Sequence, residues 1–313
     1  MDEDRPGACP KCGYEQAAGL ETCRRCGVIF SKLRESLPPA SWSPTREATQ
    51  QPATAAPLLP FGRSEMKLLA AGFVAAVIAY VFPLTRMVLS PLVTLLHEFG
   101  HASSAWLLGC PAVPAFDFVY GGGITYQHGF KLPLAVFIAL GWVGLGWLFR
   151  ENPRGVAVVA VCAGLWLLVV SSDWRRELVI VSMGHGGELL LAGTFLYMAL
   201  ANVGWRSPEL ERPLGVFAAF FVQIHSMMFA WRLRDDPDYL AWYREGKGGA
   251  LMNDLEVFAL DLQIWTGISV GIEDVAGWLM TFSLVPLGAA IVLYIYRARV
   301  SSLVHWLLAV PVR

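Results

Sequence analysis

The residues best placed to do chemistry are His97, Glu98 and His101, in the run Leu95-Leu96-His97-Glu98-Phe99-Gly100-His101. On a helix, positions i and i+4 share a face, so both imidazoles can point at one metal ion. Glu98 sits about 100° further round, within reach of a water polarised by that ion. A zinc ion lowers the pKa of such a water to about 7, and a carboxylate can then take its proton. The glutamate lies in an apolar stretch of membrane length, where an ionisable group is costly and tends to be functional.

A second set of candidate ligands opens the chain. Cys9, Cys12, Cys23 and Cys26 form two C-x-x-C pairs, each followed by glycine. That is the pattern of paired zinc knuckles, four thiolates around a structural ion, in a small ribbon over residues 1–36. Disulfides or redox-active pairs are the alternative. Against them stand the absence of a βαβ pattern around the pairs and of an apolar signal region before them. Acidic and basic residues balance in this arm, and the whole chain has a formal net charge of −1. Nucleic acid is therefore not expected as a partner. A protein partner for the ribbon fits better.

The elements that would carry these residues are read from composition. The chain of 313 residues is 55% hydrophobic and only 16% charged, the balance of a membrane protein. Residues 37–65 hold six prolines among Ala, Thr, Ser and Gln, as a disordered linker would. Residues 66–299 follow as a transmembrane domain. Five uncharged segments qualify as spans: 68–85, 132–149, 155–172, 214–231 and 275–296. Three more, near 86–109, 177–203 and 250–271, are interrupted by ionisable groups. The expected fold is thus an all-α polytopic membrane protein of about eight transmembrane helices, with a small N-terminal zinc ribbon. Lys and Arg in the loops of that arrangement favour both termini in the cytosol, with a bacterial inner membrane as the setting. Residues 300–313, with Trp306, read as an interfacial tail. Aromatic and β-branched residues around Gly121-Gly122-Gly123 point to a hairpin over 116–128, with a loop as the alternative.

Further ionisable residues lie in the apolar segments: His185, Glu188, His225 and Asp254. At 1.5 Å per residue, His101, His185, His225 and Asp254 fall at similar depth in the half of the bilayer that would face the cytosol. Together they could complete a metal site and its surroundings, with His225 as an outer support. His128 and His305 read as ordinary loop and interfacial histidines.

The motif His97-Glu98-Phe99-Gly100-His101-Ala102 in a membrane segment, followed by a glycine-bearing aromatic hairpin and further spans, resembles the site-2-protease family of intramembrane zinc metalloproteases. The resemblance covers most of residues 66–297. It implies that His97 and His101 hold a catalytic zinc, that Glu98 is the general base, and that a membrane protein or peptide is cleaved within the bilayer. It further implies an aspartate ligand on a later helix, commonly followed by glycine. This chain has no Asp-Gly dipeptide. Asp254, in Asn253-Asp254-Leu255, is the nearest equivalent, with His185 and Glu188 as rivals. A carboxylate partly neutralises a dication in a low-dielectric site, which favours Asp254. Two zinc ions per chain are then expected, one catalytic and one structural. Two other readings are a metal-binding membrane scaffold without proteolysis, and a membrane oxidoreductase using two metals or haem.

Overall fold

The computed structural model describes residues 7–8, 15–16, 20–22, 29, 62–116, 122–245 and 252–308. The chain divides into two units, Met1–Thr54 and Ala55–Arg313. In the first, β1 (Gly7–Ala8) pairs antiparallel with β2 (Glu15–Gln16), and Thr22 bridges Ile29. The four cysteines expected to bind structural zinc, and nearly all of the linker, lie outside the described residues.

The second unit is built of helices α1 (Arg63–Val81), α2 (Pro83–Leu107), α3 (Leu132–Leu148), α4 (Pro153–Val170), α5 (Asp173–Ala201), α6 (Pro208–Asp235), α7 (Pro237–Glu245), α8 (Asp254–Thr266), α9 (Ile272–Ile295) and α10 (Arg297–Leu308). Between α2 and α3 lies a hairpin of β3 (Ala112–Phe116) and β4 (Gly123–Gln127), in register from Ala112 opposite Gln127 to Phe116 opposite Gly123. The expected hairpin is present, with its first strand starting four residues earlier than the sequence indicated. Five helices, α1, α4, α5, α6 and α9, are long and apolar enough to cross a membrane, and α3 is a shorter apolar helix. Their outer surfaces say the same. On α3 only Ala135 is buried, while Phe137, Val143, Trp147 and Leu148 are exposed. A helix apolar on every side and bare on most of them belongs in lipid.

The path of the chain bears on the expected count of eight spans, against which five helices among the described residues are long and apolar enough to cross. The helices α5 and α6 run antiparallel: Arg212 Nε donates to the Ala199 carbonyl at 2.8 Å near one end, and Ser226 Oγ to Glu188 Oε1 at 2.6 Å further along. Helix α2 is antiparallel to α5, with Gly100 against Met183 and Gly187, and His101 bonded to Ile180. Helix α1 is parallel to α6. Gly72 meets Val216, Phe73 stacks edge-on with Phe220, and Tyr80 meets Phe221 and His225. So α1 and α2 run in the same direction and cannot be two separate crossings. They form one passage with a bend at Pro83. Proline has no N–H to give the Ala79 carbonyl four residues back, and Thr85 Oγ1 takes that place at 2.5 Å.

The segment 250–271 is the second departure. Helix α8 has only 13 residues, about 20 Å, against a hydrocarbon core of about 30 Å. It starts at Asp254, beside His97, and ends where Trp265 stacks on Trp174 in the first turn of α5, 5.9 Å between rings. It therefore leads from the interior back to the end it came from. The described residues make six passages: α1 with α2, then α3, α4, α5, α6 and α9. Helix α10 begins at Arg297, three residues before the expected tail. It lies by the start of α4, where Asn152 Nδ2 donates to the Leu307 carbonyl at 2.5 Å and Arg154 covers the Trp306 ring at 3.9 Å.

Two apolar clusters bracket the functional residues. One, around Leu196, Leu200, Val216 and Tyr294, fills the end where residue 63 and α10 lie. The other, around Leu233, Leu240, Leu255 and Val275, fills the opposite end. Ser226 on α6, level with the site, is nine residues from the helix end at Asp235 and 18 from its start at Pro208. At 1.5 Å per residue the site is about 13 Å from the second end and about 27 Å from the first. Within this unit the site therefore lies nearer the end of α6 at Asp235 than the end where residue 63 and α10 lie.

Candidate metal centre

Helix α2 presents His97 and His101 on one face, as their spacing requires. The close approach of α5 decides where they point. Gly100 and Gly187 let the backbones of α2 and α5 nearly touch: a β-carbon on Gly100 would lie 2.0 Å from the Met183 carbonyl oxygen. Small residues serve helix crossings in this way in membranes. Asp254 arrives from the other side, on the first turn of α8. There Asn253 N donates to Glu256 Oε2 at 2.9 Å, and Asn253 Nδ2 to the Tyr243 carbonyl at 2.6 Å. These bonds fix both the start of α8 and its attachment to α7.

Three atoms converge. His97 Nε2 lies 2.7 Å from Asp254 Oδ2, His101 Nε2 lies 3.0 Å from the same oxygen, and the two nitrogens are 3.1 Å apart. Ligands at about 2.0–2.1 Å in a tetrahedron stand about 3.3 Å from one another, so the triangle has nearly the size zinc requires. The protons agree. A carbonyl can only accept, so His101 Nδ1 must donate to Ile180 O at 2.7 Å, which in the neutral imidazole leaves a lone pair on Nε2. That lone pair faces a carboxylate oxygen and a second imidazole nitrogen. One proton on His97 Nε2 answers only part of this crowding of acceptors; a cation at the centre answers all three.

Glu188 anchors the far side. It is 2% exposed, and its Oε1 accepts from Ser226 Oγ at 2.6 Å and from His185 Nδ1 at 2.9 Å. Its Oε2 lies 3.6 Å from His97 Nδ1, beyond a hydrogen bond but close enough to orient the ring. Of the candidates for the third position, then, Asp254 joins the two histidines, while His185 and Glu188 stand behind His97. His97, His185 and Glu188 do make a second group with metal-ligand spacing, sharing His97 with the first. His185 packs between His97 and Phe229, at 4.5 and 5.0 Å between rings. His225 lines the cavity but makes no hydrogen bond to a ligating histidine among the described residues. Its Nδ1 is buried without a partner, its ring set among Tyr80 and Phe221. The outer support expected of His225 comes from Glu188 instead.

Glu98 is 6% exposed and is held by the hairpin rather than by α2 alone. Thr125 Oγ1 donates to Glu98 Oε2 at 2.6 Å, and Gly123 lies against the carboxylate. In the sequence Gly123 stood out only as part of the glycine turn, and Thr125 not at all. A cavity of about 330 Å³ contains His97, Glu98, Gly123, His185, Glu188 and Asp254 in its walls. It shares His225, Phe229, Tyr239 and Trp242 with a cleft of about 630 Å³ that is lined also by Arg86, Arg232, Asp236 and Asp238. On the other side a groove of about 410 Å³ between α5, α8 and α9 is apolar along Leu189, Phe258, Leu279 and Phe282, and reaches His185 and Asp254.

No family model, curated protein or solved structure matches this chain.

Proposed function

We propose that this chain is a zinc-dependent intramembrane endopeptidase, hydrolysing a peptide bond of a membrane-embedded substrate. The observation that carries the reading is the triangle of His97 Nε2, His101 Nε2 and Asp254 Oδ2, two neutral-type donors and one carboxylate drawn from α2 and α8. These three would hold the ion, and zinc, when bound, supplies a Lewis acid that makes water acidic near pH 7. Glu98, next in sequence to a ligand, takes the proton from water as its oxygen adds to the scissile carbonyl carbon. It then returns that proton to the amine as the C–N bond breaks. Ile180 and Glu188 keep the imidazoles oriented. The two approaches suit the two reactants. Water has the polar cleft beside Arg86 and Asp236, and an apolar segment has the groove between α5, α8 and α9. The hairpin supplies an edge to which an unwound substrate strand can add.

In the membrane this gives six crossings with residue 63 and α10 on the same face. Basic residues do not orient it. Among the described residues, Arg63, Lys67, Arg150, Arg154, Arg206, Arg212, Arg297 and Arg299 lie at one end, and Lys131, Arg175, Arg176, Arg232, Arg234 and Arg244 at the other. The cytosolic setting of the termini rests on the four thiols of the ribbon, which zinc binding needs reduced. A bacterial inner membrane remains the proposed location, and the ribbon a docking module for a protein partner.

The test is cleavage of single-span substrates by the purified protein in liposomes, with new termini found by mass spectrometry. Cleavage that needs zinc and is abolished in Glu98→Gln is expected. Cleavage that persists in that variant removes the mechanism. The group His97, His185 and Glu188 supports one other reading, a two-metal oxidoreductase. Iron in the purified protein, with a visible absorption band, would favour it. Bound zinc with no cleavage of any substrate would favour a metal-binding scaffold.

A further inference from the structure

We infer that Thr125 is the positioning residue of Glu98, so that the β-hairpin, and not the metal-binding helix, sets where the proposed base sits. The inference rests on the reading of Glu98 as a base but is argued from geometry alone. Glu98 shares α2 with His97 and His101, yet among the described residues no cation lies within ion-pair distance of its carboxylate, nor does any α2 side chain bond to it. What holds it comes from β4. Thr125 Oγ1 is 2.6 Å from Glu98 Oε2 and 3.2 Å from the Glu98 carbonyl oxygen, so the one hydroxyl proton ties the side chain to its own backbone. Two residues earlier, on the same face of the strand, Gly123 forms the floor. A β-carbon there would meet Glu98 Oε1 at 2.3 Å, Cγ at 2.4 Å and Cδ at 2.6 Å.

A two-stranded hairpin is marginal by itself and takes its stability from what it packs on. Here that is α2, through Trp106 Nε1 donating to the Ala112 carbonyl at 2.7 Å, through Ala112 packed with Ala102 and Ala105, and through the very side chain that must be placed. Seating the hairpin and placing the carboxylate are therefore coupled. Whatever steadies β4, including a strand added to the hairpin, also steadies Glu98. A side chain that must lie within a few tenths of an ångström of its working position depends on such support.

The experiment uses the full chain, labelled with ¹³C-glutamate, in infrared difference spectroscopy. The Glu98 carboxylate band is identified as the one lost in Glu98→Gln. Thr125→Val keeps the shape and removes the hydroxyl; it is expected to shift that band while leaving metal content per chain unchanged. Thr125→Ser is expected to restore the band. Gly123→Ala, whose methyl group must displace the carboxylate, is expected to shift it as well and serves if Thr125→Val fails to accumulate. With a cleavable substrate, Thr125→Val should lower kcat by about tenfold to a hundredfold at little change in KM. A band that stays in place in both Thr125→Val and Gly123→Ala overturns the inference, and so does a Thr125→Ser band displaced as far as that of Val. None of the infrared outcomes depends on proteolysis, so a failure of the peptidase reading is seen separately, as absence of cleavage in the parent protein.

Discussion

Gly184 stands directly against His101: a β-carbon on it would lie 2.4 Å from Nε2, and 2.6 Å from Cε1 of His97. The two imidazoles can face a common point only because position 184 of α5 has no side chain. Gly184→Ala places a methyl group where the ligating atoms are. It is expected to weaken intramembrane metal binding by at least about tenfold, a loss on the scale of disturbed ligand orientation. Metal retained after dialysis against a chelator measures it. Unchanged retention would show that the ion does not sit among these rings.

The third ligand can be separated from its neighbours. In a protein lacking residues 1–37, Asp254→Ala should release the remaining zinc, whereas His185→Ala should keep most of it, because His185 bonds to Glu188 and lies outside the triangle. The opposite pattern would move His185 into the ligand set.

Glu98→Gln should retain the metal and lose peptide hydrolysis by about a hundredfold to ten-thousandfold, since an amide cannot take a proton from water. Loss of metal in this variant would make Glu98 a ligand instead of a base.

Glu188 contributes no atom to the triangle, yet it anchors Ser226 and His185 and stands 3.6 Å from Nδ1 of His97. Glu188→Ala should lower metal affinity by about tenfold to a hundredfold. It should also destabilise the fold, because the buried donors of Ser226 and His185 lose their acceptor. Ser226→Ala, which removes one of those donors, should do much less. Equal effects of the two on a chelator titration would contradict this order.

The six-passage path makes a topological forecast that differs from eight spans. Single cysteines at Ser64, Glu151, Ser207 and Ser301 should react with a membrane-impermeant maleimide from one face, and those at His128 and Asp238 from the other. In an eight-span chain Ser64 and Glu151 would lie on opposite faces, so that pair decides between the two.

How far the chain could be read beforehand differs by element. The histidine pair and Glu98 were legible because their spacing is the chemistry. Asp254 was reached only with the help of a resemblance and a charge argument. The count of eight segments and the path of the backbone differ for local reasons. Between Val81 and Arg86 the chain reads Phe82-Pro83-Leu84-Thr85, with no polar turn residues. Hydropathy counts divide such a run wherever a charge falls, whereas the backbone only bends there. At the other segment the signal was present. Asn253 and Glu256 have the Asn-x-x-Glu spacing of a helix start, which places the first turn of α8 at Asp254 and leaves too few residues to cross. Gly123 signalled a turn but not a contact with Glu98, and Thr125 carried no signal at all. A threonine and a glycine in a strand are ordinary until the strand is laid on α2, and that contact spans 27 residues of sequence.

The ligands of the proposed centre are 157 positions apart, His97 near the start of the membrane unit and Asp254 near its end. During synthesis the ribosome delivers the two histidines early. The carboxylate follows only after α3, α4, α5 and α6 have been made. A nascent chain therefore offers a visiting ion two nitrogens and no anchor, and the full coordination set exists only once the penultimate crossing is in place. Metal capture at the proposed centre would in this way be a last step of biogenesis, and binding would then add its free energy to the assembled helices. On the proposed reading, a centre that closes so late would leave the unfinished chain inactive, and an ion held there would tie the first passage of the bundle to the segment that leads into the last.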